Sequence, residues 1–230
     1  MSDGSGNSRS GSTLATTTLV QEKFNYGRWF RTDSDIIEST ERFPALADFT
    51  VEFWVRFDLE LPGSTETLFN VLGRDPSIQR NTSGNILVIH DNNQGSPVIT
   101  SSVAIADKKW HHIAMTRDDA AGACNLYIDG VNAGSGTMNS TSNNYYYAGD
   151  DGTFTAPFSG VIDELAIYSS DLSSATFLEN FKRGVMDVKF LVRSCNDSSC
   201  SGENWVGLAG EAQSMTGEYN FNASYDLSLI

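Results

Sequence analysis

The chain has 230 residues, enough for one large domain or a domain with an appended segment, and enough to bury a full core without disulfide or metal staples. It carries 29 acidic against 15 basic side chains, a formal charge of -14, so its surface repels the phosphate backbone that a nucleic-acid binder must neutralise, and nucleic acid is excluded as a partner. No apolar run approaches the roughly 20 residues that cross a bilayer, and the opening stretch has no apolar core of a secretory signal, so neither membrane insertion nor a signal peptide is expected.

Residues 1–18 are mostly Ser, Gly, Thr and Asn, which bury too little to offset the entropy of ordering; they read as a flexible polar arm that neighbouring subunits would hold. Strands begin at Leu19. Val51, Phe53, Val55 and Phe57 alternate with Glu52, Trp54, Arg56 and Asp58, the period of a strand with one face in the core and the other toward a groove or solvent. Asn85 to His90 is a near-continuous apolar run, which predicts a central strand covered on both sides, ended by the loop from Asp91 to Pro97. Trp110 to Thr116 and Cys124 to Ile128 form a hairpin pair, and Asp129-Gly130 sets the next tight turn. Val161 to Tyr168 bears large apolar groups on both faces and belongs inside a sheet; Trp110, Tyr127 and Ile162 are expected to share one dry interior. One helix is legible: Ser173 as N-cap, an apolar stripe of Ala175, Phe177, Leu178 and Phe181, and Gly184 as its stop, placed to plug one edge of a sandwich. The fold class is therefore all-β, an antiparallel jelly-roll β-sandwich with one short helix over residues 19–185 and a C-terminal β extension over 186–230.

In that extension Val188, Phe190 and Val192 alternate into a cysteine pair, and the sequence reaches Ile230 on an apolar run, an open edge expected to pair with the chain's own sheet or a neighbouring subunit, a cut inside a longer protein being equally compatible. Of three cysteines only Cys195 and Cys200 are close in sequence; the turn-forming Asn-Asp-Ser-Ser between them suits a local disulfide, with two free thiols as the alternative. Cys124 sits beside Leu126 and Ile128 and reads as a buried, inert thiol.

Five blocks recur together: Phe49 to Val55, Trp110-His-His-Ile-Ala-Met-Thr-Arg117, Leu126-Tyr-Ile-Asp-Gly130, Phe158 to Tyr168 and Leu172-Ser173. In order and spacing they resemble the laminin G-like group of the concanavalin A-like lectin and glucanase superfamily, over roughly residues 19–185. The resemblance implies two packed antiparallel sheets, one concave, with rim loops that in many members hold calcium or a ligand. The segment from Val192 to Gly202 is similar to a cysteine-paired strand found after such domains in microbial surface and phage proteins.

Glycoside cleavage needs two carboxylates flanking one bond at about 5 Å, which alternate residues on a strand supply. The chain does not offer the set: Asp163 and Glu164 are adjacent and point apart, while Asp58 and Glu60 follow Arg56 and run into Pro62. No Gly-x-Ser-x-Gly elbow is present, and His111 and His112 face opposite ways at positions the family pattern fills structurally. No His or Cys spacing suits zinc.

Calcium takes hard oxygen ligands from loops, and the acidic loops nominate Asp33, Asp35, Asp150, Asp151 and Asp163, against a reading of these as solvated acids. Glycans call for aromatic faces beside polar groups, which nominates Glu52, Trp54 and Arg56, or Asn143, Tyr145 and Tyr147. The competing account makes Trp54 framework and lets the tyrosines fill both faces of a strand. The sequence thus predicts a non-catalytic structural or binding module of an external surface, a virion surface or decoration protein or a lectin-like adhesion domain of a bacterial surface protein, with neighbouring subunits and glycans as partners and calcium as the one cofactor considered.

Overall fold

The computed structural model describes residues 11–13, 17–32, 34–40, 42, 48–90, 96–138 and 143–185, and the strand backbones of 187–189, 191–192, 206–207 and 214–216. The chain forms two compact units, Met1–Phe181 and Lys182–Ile230.

The first unit is a sandwich of two seven-stranded antiparallel sheets. One sheet runs β1 (Gly11–Thr13), β4 (Ile37–Ser39), β13 (Tyr146–Ala148), β6 (Glu66–Val71), β7 (Ser77–Arg80), β8 (Asn85–Ile89) and β9 (Pro97–Ala104). The other runs β12 (Val131–Thr137), β11 (Ala123–Ile128), β10 (Trp110–Asp118), β5 (Phe49–Phe57), β14 (Gly160–Tyr168), β3 (Asn25–Phe30) and β2 (Thr18–Glu22). The alternation read at β5 sends Phe53, Val55 and Phe57 inward, and the register with β14 places Ile162 opposite Val55 on the same side. Phe69, Ile78, Val88 and Ile99 answer them from the first sheet, and all belong to one apolar core. Along one side β9 and β12 meet: a Cβ on Gly134 would lie 2.5 Å from Ile99 Cγ2, so only a residue without one admits the approach.

Arg80 points inward at the end of this core and is fully buried, its guanidinium 3.9 Å from the centre of the Phe57 ring. It donates to Leu59 O at 3.1 Å, Ile105 O at 3.0 Å and Glu60 O, and lies 3.4 Å from Glu66 Oε2. Burial pushes the Glu66 carboxyl above its ordinary value, although Ser159 N–H and Arg80 pull the other way. A buried charge survives only with such partners, so this one fastens two loops to the sheet.

Four expectations change. The outward face of β5 at Trp54 opens on neither groove nor solvent: helix α1 (Ser174–Gly184) and Phe24 cover it, with Trp54 4% exposed between Phe24 and Phe181. The helix consequently lies across the outer face of the second sheet instead of plugging an edge, and its Phe177 packs on Ala114 and Tyr127. Trp110, Tyr127 and Ile162 do not share an interior: Ile162 joins the main core, Tyr127 the layer beneath α1, and Trp110 is half-buried under the Arg56 guanidinium at 5.8 Å. Within the stretch read as a loose arm, Gly11–Thr13 pairs with β4, since backbone hydrogen bonds form along a sheet edge whatever the side chains.

The second unit holds two short pairings, β15 (Asp187–Lys189) with β18 (Ser214–Thr216) and β16 (Leu191–Val192) with β17 (Val206–Gly207). Cys195, Cys200 and Ile230 lie outside the described residues.

Candidate ligand-binding rim

Two residue sets nominated separately meet at the end of β13 and the loop after it. Tyr146 faces inward and stacks on Phe69 at 5.9 Å, so its neighbours Tyr145 and Tyr147 lie on the opposite face, where Tyr145 is half-buried and Tyr147 is buried, its ring close against Gly152. Tyr145 lies under the Arg42 guanidinium at 5.5 Å, and Arg42 also donates to Asn143 O at 3.3 Å. Tyr147 donates its hydroxyl to Glu38 Oε1 at 3.0 Å; burial first, and then that carboxylate, push its pKa up to about 12. Gly149 then turns the chain with φ +91°, where a Cβ would sit 2.2 Å from the Phe30 ring.

Asp150 and Asp151 follow, both buried, and their carboxylates organise the next turn. Asp150 Oδ1 accepts from Gly152 N at 3.1 Å and Phe154 N at 2.8 Å. Asp151 Oδ1 accepts from Thr153 N and Thr153 Oγ1, each at 2.8 Å, and its Oδ2 from Thr155 Oγ1 at 2.6 Å. The turn is fastened to β6 by Asn70 Nδ2 to Asp151 O and Thr67 N to Ala156 O, each 2.8 Å. Burial, and then the neighbouring Asp151, raise Asp150 to about 6. Asp151 moves down against its burial because Asp150, Thr155 and Thr153 all hydrogen-bond its charged form. Asp150 Oδ2 and Asn70 Oδ1 remain buried without a hydrogen-bond partner.

The remaining nominees stand apart. Glu52 is 6% exposed beneath α1, accepting from Tyr168 Oη at 2.8 Å and from Asn180 Nδ2 at 3.0 and 3.1 Å, with His112 Nε2 at 3.2 Å. Burial alone raises a carboxyl, but these donors outweigh it and hold Glu52 below its ordinary value. Arg56 pairs with Asp58 at 3.6 Å, and Asp58 accepts from Trp29 Nε1 at 2.8 Å. Glu52 and Trp54 thus form the seat of α1, with Trp54 closed to any ligand, while Arg56 meets Asp58 and Trp110. Asp163 caps the β2–β3 turn through Phe24 N at 3.0 Å, and Asp35 holds its own turn through Arg31 N at 2.8 Å and Thr32 N at 3.2 Å. Asp33 lies outside the described residues. Among the described residues no three His, Cys, Asp or Glu side chains gather as metal ligands.

Split carboxyl pKa values at adjacent aspartates resemble an acid and nucleophile pair. Here Asp150 has no exposed surface and both side chains are committed to turn N–H groups, so neither reaches a glycosidic bond. Sequence reasoning missed Glu38, Asn70 and the exposed Thr153, Phe154 and Thr155. For the last three a signal existed: Asp-Asp-Gly-Thr-Phe-Thr has acceptors two residues ahead of each Thr or Gly, the spacing of side-chain-capped turns.

The model of the concanavalin A-like lectin/glucanases superfamily, laminin G-like branch, matches residues 30–176. Among curated proteins, a sushi, von Willebrand factor type A, EGF and pentraxin domain-containing protein of Rattus norvegicus is 32% identical over 94 residues, which is 41% of this chain and 3% of that protein. This chain therefore spans a small fraction of that relative. Among solved structures, the binding domain of Paraclostridial Mosquitocidal Protein 1 aligns with TM-score 0.63 and 19% identity over 79% of this chain and 49% of its own. Domain 4 of AbnA, an extracellular arabinanase from Geobacillus stearothermophilus solved in complex with arabinotriose, aligns with TM-score 0.60 and 22% identity over 76% of this chain and 90% of its own. Likeness at these identities establishes a shared sandwich.

Proposed function

This chain belongs to the concanavalin A-like lectin/glucanases superfamily, and from that premise we propose that it is a non-catalytic, lectin-like module that binds glycans through the rim at the end of β13. The observation that carries this reading is that the Asp150–Asp151 turn packs at Gly152 against Tyr147, whose neighbour Tyr145 on the same face of the strand is half-buried beside Arg42 and Asn143, so that an aromatic lies beside fixed polar groups. The arabinotriose bound by the arabinanase domain supports a saccharide as the ligand class. Asp150 and Asp151 are bound up in their turn and Glu52 lies under α1, which supports binding without cleavage.

Calcium enters the proposal at Asp150 and Asp151 alone. Asp150 Oδ2 and Asn70 Oδ1 are hard oxygen donors without hydrogen-bond partners, and a cation there would offset the repulsion between two adjacent carboxylates. An external surface, of a virion or of a bacterial cell, is the setting in which a glycan-reading module of this charge meets its ligand, with neighbouring subunits holding its edges.

Isothermal titration with arabinotriose, cellotriose, maltotriose and N-acetylchitotriose tests the reading. Binding of at least one, without release of reducing ends, and its weakening in Tyr145→Ala are expected; no heat with any of the four up to millimolar concentration overturns it.

A further inference from the structure

Phe154 combines two costs that the fold does not require. Its φ is +61°, a region that bulky side chains rarely adopt, and its ring is 50% exposed and contributes to neither apolar cluster among the described residues. The conformation persists because Asp150 Oδ1 holds Phe154 N at 2.8 Å while Asp151 fixes the residues on both sides. The turn is in turn fastened to β6 through Asp151 O and Ala156 O. A strained, over-determined backbone that holds an aromatic ring outward is the arrangement of a binding residue, since its rigidity removes ordering cost from the bound state.

We propose that Phe154 is the stacking platform of the glycan site, receiving the apolar face of a neutral sugar ring, with the Thr153 and Thr155 hydroxyl oxygens accepting from ring hydroxyls at its margin. This rests on the glycan-binding reading and specifies where, and for which chemistry, that site is built. Both threonines are exposed and each hydroxyl reaches Asp151; the two oxygens also lie 3.1 Å from one another, and each, having two lone pairs, keeps one for a hydroxyl-bearing ligand. The two carboxylates are buried beneath the tip, so the surface offered is a ring flanked by uncharged acceptors. A phosphate finds no cation in this turn, only two carboxylates, whereas a neutral saccharide offers an apolar face ringed by donors.

The test uses the full chain, the same four trisaccharides and the variants Phe154→Ala, Phe154→Gly and Phe154→Tyr, each checked by thermal melting. Phe154→Gly relieves the backbone while removing the ring, so it separates loss of the ring from any backbone strain that Phe154→Ala retains. About tenfold loss of affinity in both ring-less variants and near-native affinity in Phe154→Tyr are expected. Undiminished binding by Phe154→Gly overturns the stacking role while the glycan reading stands. Absence of binding by the native chain overturns both.

Discussion

His111 stands between two carboxylates, Nδ1 2.8 Å from Asp129 Oδ2 and Nε2 2.9 Å from Asp107 Oδ1. A neutral imidazole has one N–H and satisfies one of them; the imidazolium satisfies both. Burial works against the charge, yet the bonds to Asp129 and Asp107 outweigh it and raise His111 above its ordinary 6.5. The contribution to stability is therefore complete below about pH 6.5 and fades as pH rises through the higher folded value. Asp107 sets the acid limit: burial is outweighed by its His111 bond, its pKa falls, and its share is lost as pH drops through that lowered value. Melting curves from pH 5 to 9 should show a midpoint that declines on the alkaline side in the native chain and a flatter profile in His111→Gln. Parallel profiles would remove the clamp from the stability of this turn. The motif Trp-His-His signalled a structural histidine but not this pairing, because Asp107 and Asp129 come from separate turns whose approach is decided by the register of β10 with its neighbours.

At the scale of elements, α1 is held by one residue above all. Ser173 Oγ caps it through Thr176 N at 3.3 Å, and Phe177, fully buried, meets the Tyr127 ring at 4.6 Å. Phe177→Ala should cost about 3–5 kcal/mol and Ser173→Ala about 1 kcal/mol in urea unfolding, the first for a cavity and the second for an orphaned N–H. Comparable losses in the two would mean that the helix is not seated by its aromatic. The helix itself was legible from cap, stripe and stop, and β5 from strict alternation. Its seat was not. Periodicity reports that Trp54 and Glu52 share a face, but what covers that face, Phe24 and Phe181, is supplied by segments far away along the chain. The rim was legible in halves for the same reason: composition marked Tyr145 to Tyr147 and Asp150–Asp151 as separate features, and the turn at Gly149 joins them.

For the molecule as a whole, a formal charge of -14 makes cations generally stabilising, so a metal site must be distinguished from screening. Millimolar calcium should raise the melting midpoint above that in sodium chloride of equal ionic strength, and Asp150→Asn should abolish the difference; equal midpoints in the native chain would reject calcium at this turn. The meeting of β9 and β12 closes one flank of the sandwich. The opposite flank, among the described residues, is bordered by β1 and β2, both drawn from the first 22 positions. The stretch whose composition suggested a loose arm thus borders one sheet through β1, and the strand expected from Leu19 borders the other as β2. Whatever displaces both strands bares the backbone of β4 and β3 together, so the side on which this molecule would accept a foreign strand is governed by its own N-terminal segment.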